Sequence, residues 1–233
     1  AYLNIMKHAD MSFQFGGPGK FKISEINDNE YNDWIGAQIR IDLYGWVLPG
    51  KPGLASSLAR QDAMLSHRRN GVECSAFIAA LAALIPINED KFSAVETALD
   101  YIDKDTETFE AVRLGIENTN KDFTPIAEKY EGMSPVHSLN NLALVVWAFL
   151  SFDDYDAAVG EAVNAGWDTD CNGATVGGLM GMHLSEIPPK WYEPWNGRVC
   201  TSISGLGELV LEDLVNRTML LVSKFSDLED KKF

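Results

Sequence analysis

Asp168 and Asp170 stand one residue apart in Gly166-Trp167-Asp168-Thr169-Asp170-Cys171-Asn172-Gly173, a glycine-flanked turn ahead of the small-residue run Ala174-Thr175-Val176-Gly177-Gly178. Carboxylates this close repel one another unless a cation or hydrogen-bond donors neutralise them. Hard cations such as Mg2+ or Ca2+ take oxygen ligands of this kind. The same residue types also cap helices and form turns. The couplet therefore reads either as a metal-binding pair or as the cap of the helix that follows.

Other residues carry weaker signals. Gly71, after Asn70, permits close backbone approach to a ligand. Asn172 could hydrogen-bond a ligand or cap the next helix, and His137, ahead of Asn140-Asn141, suits a helix start. Arg40 and Asp42 lie two apart on a helical stretch and so do not face each other. Asp42 could line a pocket, though pairing elsewhere is the stronger reading. Cys171 has no histidine near it in sequence, so packing is its expected role. Trp167 reads as core, while Trp195 could stack on a base.

The elements that position these groups read as helices joined by short polar turns. Residues 13–22 contain Gly16-Gly17-Pro18-Gly19 and should be loop. Helical spacing of apolar residues predicts helices over 32–44, 54–65 and 138–150. Residues 74–85 are apolar nearly all round, as expected of a helix at the centre of a bundle. Amphipathic helices are expected over 93–102, 107–117, 123–129, 154–164 and 207–223, with a short glycine-rich one over 175–182. Asp153 or Asp154 is placed to cap the helix at 154. No strand pair with hairpin signals emerges. The fold class is all-α, a compact multi-helix bundle, with 1–30 an irregular entry segment and 31–233 the C-terminal portion of one domain.

Composition sets limits. The 233 residues are 46% hydrophobic and 23% charged, ordinary for a globular protein able to bury a full core. A net charge of −15 argues against nucleic acid as a main partner, because phosphate binding needs a basic face. Cys74, Cys171 and Cys200 are odd in number and lack CxxC spacing, so a reducing cytoplasm is expected rather than a disulfide framework. No apolar run of membrane-spanning length and no secretory leader is read, and no membrane partner is expected. The chain opens Ala1-Tyr2-Leu3-Asn4-Ile5-Met6 without an initiator methionine; a processed terminus or a piece of a longer protein is expected.

Four separated segments resemble a bacterial branch of the ADP-ribosylglycohydrolase family. They are Trp34-Ile35-Gly36-Ala37-Gln38-Ile39-Arg40-Ile41-Asp42 running on to Pro49-Gly50-Lys51-Pro52; Asp62-Ala63-Met64-Leu65-Ser66-His67 with Asn70-Gly71; Val136-His137 with Asn140-Asn141; and residues 166–178. Together they cover about 34–218, in the family's order. One short motif is weak evidence; four in sequence are specific.

The resemblance implies an all-α hydrolase that cleaves ADP-ribose from a protein or small-molecule acceptor, using two Mg2+ ions in the complete domain. Asp168 and Asp170 match its metal-binding DTD motif. Thr169, Asn172, His67 and Gly71 are the implied substrate contacts, His67 as a neutral imidazole on a phosphate or ribose hydroxyl, or else as a core or capping histidine. Arg68-Arg69 could steer a diphosphate or simply form a solvated turn. No catalytic acid or base is assigned.

Two departures stand out. The family's Thr or Ser after the DTD couplet is Cys171 here, and a thiol is a poor Mg2+ ligand. The family's acidic N-terminal cluster has no counterpart ahead of Trp34, and the adjacent pair Asp153-Asp154 lies in the wrong segment. The first part of the domain is therefore expected to have been removed, lost or supplied by a separate N-terminal chain. Two other readings remain open, a non-catalytic ADP-ribose or nucleotide-binding module and a hydrolase of another N- or O-glycoside.

Overall fold

The computed structural model describes residues 30–184 and 186–231; the calls on 1–29 fall outside them. The described chain is all-α apart from one small hairpin. In order it runs α1 (Asp42–Val47), α2 (Pro52–Ala63), α3 (Arg69–Leu84), α4 (Lys91–Ala98), α5 (Glu107–Glu117), α6 (Thr124–Lys129), α7 (Ser138–Ser151), α8 (Tyr155–Asn164) and α9 (Thr169–His183). Strands β1 (Arg198–Cys200) and β2 (Glu208–Val210) follow, then α10 (Leu211–Phe225).

The two helices that read as apolar nearly all round are the centre. From Cys74 onward α3 is buried on every side, and α7 is buried from Ser138 to Leu150. Phe77, Phe149, Leu81, Leu142 and Leu144 are fully enclosed there. Each such side chain contributes roughly 1.5–3 kcal/mol by leaving water. Helices α1 and α2 cover one side of α3, and α5, α8 and α9 gather around α7. With its 3-10 extension α3 spans Arg69–Ile87, long and apolar enough to cross a membrane by length and composition, although most of it is buried inside the bundle. The sequence reading saw no such run because Arg69 and Glu73 interrupt its first turn.

Helix starts follow cap chemistry. Asp90 accepts from Ser93 N–H, Thr106 from Phe109 N–H and Asp154 from Ala157 N–H, and Pro52 opens α2 with its ring at the first turn. At α3 the local cap is absent. Arg69 has φ +47, and Asp33, far away in sequence, accepts the Asn70 amide hydrogen at 3.0 Å and pairs with the Arg69 guanidinium.

Three expectations change. Residues 32–44 do not form one helix: 3-10 turns at Glu30–Asp33 and Gln38–Arg40 flank a stretch in which Ile35 N–H donates to Val136 O and Trp34 bridges His137. Long-range backbone pairing there overrides helical spacing. The glycine-rich helix is longer than 175–182, because Asp168 starts it at Thr169. Helix α10 begins at Leu211 rather than 207, since residues 208–210 pair with 198–200 as an antiparallel hairpin. Strands of three exposed residues carry too little alternation to be read from sequence.

Candidate functional site

The turn between α8 and α9 places the carboxylate couplet. After α8 the chain reverses through Gly166 (φ +91) and Trp167 (φ +57). A left-handed conformation is costly for a residue with a Cβ, and Trp167 is held in it by its ring, which packs edge-on to Phe123 (5.0 Å between centroids) and lies 6.4 Å from Tyr130. The expected core role of Trp167 is borne out. Asp168 then takes the N-cap position of α9, its Oδ1 accepting the Cys171 amide hydrogen at 3.4 Å.

Beneath this turn lies a buried amide pair. Asn141 Oδ1, on α7, accepts from Asn172 Nδ2 at 2.7 Å and from the Asp168 amide at 3.3 Å. Asn141 Nδ2 donates to the carbonyls of Pro135 (2.9 Å) and His137 (2.7 Å). His137 in turn caps α7 by accepting the Leu139 amide hydrogen at 3.2 Å, as the sequence suggested. The Val136-to-Asn141 motif and the Gly166-to-Gly178 motif are thus one structure. Asn172 is fully buried, and its Oδ1 has no partner within the protein.

The donor atoms of Asp168, Asp170 and Cys171 all lie within 4.8 Å of one another. Asp168 is part-buried, Asp170 exposed and Cys171 buried. Burial raises the Asp168 carboxyl above its ordinary range, and the neighbouring Asp170 carboxylate raises it further. Burial raises the Cys171 thiol too, with Asp168 and Asp170 adding to the shift. Cys171 therefore keeps its proton at neutral pH and is neither thiolate nucleophile nor thiolate ligand. Two clustered oxygen donors fit a hard divalent cation, and the protonated thiol does not. Thr169, between the two aspartates, is the first residue of α9.

His67 and Gly71 belong to the turn between α2 and α3. His67 is 8% exposed, and burial, followed by the Arg40 charge, pushes its pKa down to about 4. Its Nδ1 sits 2.7 Å from Ser66 Oγ, which accepts from Arg40 Nη2 at 3.1 Å. Arg40 can only donate, so the Ser66 hydrogen points to Nδ1 and the imidazole proton resides on Nε2. That edge faces Gly36. Arg40 Nε also donates to Asp62 Oδ1 (2.8 Å), and the Tyr44 hydroxyl donates to Asp62 Oδ2 (3.0 Å). A Cβ on Gly71 would lie 2.3 Å from Asn32 O, so its close approach is to this chain's own backbone.

The segment Asn32 to Gly36 connects the two clusters. One end meets Gly71 and His67, and the other pairs with Val136 and His137, whose helix carries Asn141.

Asp42 departs from its expected pairing. Burial raises its pKa to about 6, and it has no cationic partner among the described residues. Its Oδ2 presses on α9 at Gly178, where a Cβ would come within 3.0 Å. Arg69 is paired with Asp33, and Arg68 donates to the Met64 and His67 carbonyls, so neither is the bare steering charge the sequence suggested. Trp195 stands on the C-terminal loop, which meets α8 at Tyr155 through Trp191; that is the end of α8 opposite the carboxylate turn, roughly 15 Å along the helix. Sequence reasoning missed Gln38, which is buried with both amide atoms unpaired, and Asp33 and Asp62 as hubs. Nothing in the spacing of these three signals their roles.

The ADP-ribosylglycohydrolase family model matches residues 5–223, beyond the motif-bearing stretch at both ends. An uncharacterized protein of Archaeoglobus fulgidus is 26% identical over 168 residues, which are 70% of this chain and 53% of that protein. The chain spans about half the length of this curated relative.

Proposed function

This chain belongs to the ADP-ribosylglycohydrolase family, and from that premise we propose that it is the metal-holding part of a Mg2+-dependent hydrolase that releases ADP-ribose from a protein or small-molecule acceptor. The observation that carries the reading is the Asp168–Asp170 couplet, seated on an N-terminal helical turn that a buried Asn141–Asn172 pair supports.

Asp168 and Asp170 would hold the metal. When bound, Mg2+ polarises ribose oxygens and lowers the pKa of an attacking water. The chain's own contributions are orientation and charge. Asn141 fixes the turn, so the carboxylates need little reordering on binding. The unpaired Oδ1 of Asn172 offers an acceptor directly below them. His67, neutral with its proton on Nε2, is a donor to a phosphate or ribose oxygen without adding a net charge. Two carboxylates are few for Mg2+, which wants near-octahedral oxygen ligation. The reading therefore includes further oxygen ligands from outside the described cluster, supplied by the same or a separate polypeptide.

The test is release of ADP-ribose from a broad panel of ADP-ribosylated substrates by the full-length protein, with Mg2+ and with chelator. No release with Mg2+ present would sink the proposal.

A second reading is a non-catalytic ADP-ribose-binding module. It is favoured by the confinement of the clustered donors, among the described residues, to two carboxylates and a protonated thiol. Calorimetric titration of ADP-ribose separates the two readings: binding without turnover by the full-length protein selects the module.

A further inference from the structure

Residues 188–231 form an arm tied to the bundle at its two ends. At one end Lys190 and Trp191 Nε1 both engage Asp156 on α8. At the other, Lys51 Nζ donates to Ser226 O (2.9 Å), Asp230 accepts the Leu54 amide hydrogen (2.7 Å), and Phe225 packs against the core beside α1. Between these ties the arm is in solvent. Helix α10 turns Leu214, Thr218, Val222 and Phe225 toward the protein at helical spacing and leaves Val215, Met219 and Leu220 at 52%, 56% and 69% exposure. Trp195 is 68% exposed, although its indole N–H is satisfied by Trp191 O. Two cavities, of about 710 and 370 Å³, open along the arm and meet at Val210-Leu211.

We propose that this arm is the two-fold interface of a homodimer, with the hairpin and the exposed flank of α10 covered by those of a second copy. Four observations on the arm favour a second copy as occupant. The first is area. Roughly 1,000 Å² of apolar side chain is exposed between Trp191 and Leu221, against the few hundred Å² of the largest patch on a typical monomer and about 800 Å² per partner in a standard interface. The second is composition. Trp191, Tyr192 and Trp195 are of the types enriched in interface cores and hot spots.

The third is the open sheet edge. The hydrogen bonds Leu211 N–H to Gly197 O and Thr201 N–H to Gly207 O fix the hairpin's parity, so the backbone groups of Arg198, Cys200, Glu208 and Val210 point away from the ribbon. The sheet has only two strands, so both outer edges are unpaired among the described residues. An antiparallel edge meeting its own copy obeys a two-fold axis and closes as a dimer. The fourth is charge. Of the chain's net −15, residues 188–221 carry three cations (Lys190, Arg198, Arg217) and four anions (Glu193, Glu208, Glu212, Asp213), a net of −1. Two copies meeting here bring together the least mutually repulsive surface the molecule has.

The test is sedimentation equilibrium of the full chain from about 1 to 100 µM, the range that resolves micromolar dissociation. The expected result is a species of twice 25.7 kDa. Val215→Glu, at an already exposed position, should return it to monomer with an unchanged helical circular-dichroism signal, and Trp195→Ala should weaken it at least about thirtyfold. Ile87→Glu, an equally exposed apolar site outside the arm, should leave the dimer intact. A monomer at about 100 µM, an open ladder of larger species, or a dimer indifferent to Val215→Glu would each overturn the proposal. So would a monomer that forms a 1:1 complex only with a different polypeptide.

Discussion

Asn141 Oδ1 on α7 and Asn172 Nδ2 on α9 are 2.7 Å apart, in a fully buried pair that also receives the Asp168 amide hydrogen. This contact joins the start of one central helix to the carboxylate turn 27 residues away from it in sequence. A buried amide that serves several backbone groups cannot be removed cheaply, because each group it leaves behind loses its partner in a site without water.

Asn141→Ala should therefore cost about 2–4 kcal/mol in urea unfolding, since the Pro135 and His137 carbonyls and the Asp168 amide are all orphaned. Asn172→Ala should cost less, because it also removes an acceptor that has no partner in the protein. Equal losses would contradict the described network.

Asp168 has two separable roles, cap and ligand. Asp168→Asn keeps an N-cap acceptor, whereas Asp168→Ala forfeits it at about 1 kcal/mol. Asp170→Asn removes the like charge that raises the Asp168 carboxyl. In chelator, Asp170→Asn should melt at or above the parent temperature. With Mg2+, the parent should gain stability by mass action and both Asn variants should gain little. Identical Mg2+ responses in all three, read by thermal unfolding, would leave only the capping role.

Cys171 sits where the family carries a hydroxyl, and its proton is held by burial and the two adjacent carboxylates. Cys171→Ser replaces a soft, protonated group with a hard oxygen at the same position. It should tighten Mg2+ binding severalfold in calorimetry, while Cys171→Ala leaves it near the parent value. A Ser variant that binds no better would remove the residue from the metal's surroundings.

His67 makes stability depend on pH in a defined window. Its folded pKa is about 4 against an ordinary 6.5, so the unfolded chain takes up the proton first. Stability is unaffected by His67 above 6.5 and falls as pH drops from 6.5 towards 4. Asp42 acts in the same direction for part of that range and with opposite sign of consequence: its folded pKa is raised from 3.8 to about 6, so the stability it adds is complete below 3.8 and is lost as pH rises through 6. Denaturation midpoints across pH 4 to 8 should lose their acid-side decline in His67→Gln, and Asp42→Asn should gain stability at pH 8 but not at pH 4.

Helix positions, the two central helices and the capping aspartates were legible because each depends on neighbours within a turn or two. Asp154 ahead of α8 and the all-apolar run in α3 need only local spacing and composition. The motif residues were legible too, Asp168 and Asp170 above all, since paired carboxylates on a turn carry their chemistry in their types. What they rest on was not. Nothing in the sequence places Asn141 under Asn172, Asp33 at the start of α3, Ser66 between Arg40 and His67, or Asp42 against Gly178 without a cation. Those relations arise where separate elements meet, and burial there sets protonation states and exposes unpaired atoms that residue types alone do not specify. The residues 32–44 show the same division: helical spacing is present, but pairing with Val136 and His137 is the stronger interaction once α7 is in place. Local chemistry named the participants, and the packing of α3, α7 and α9 decided which of them touch.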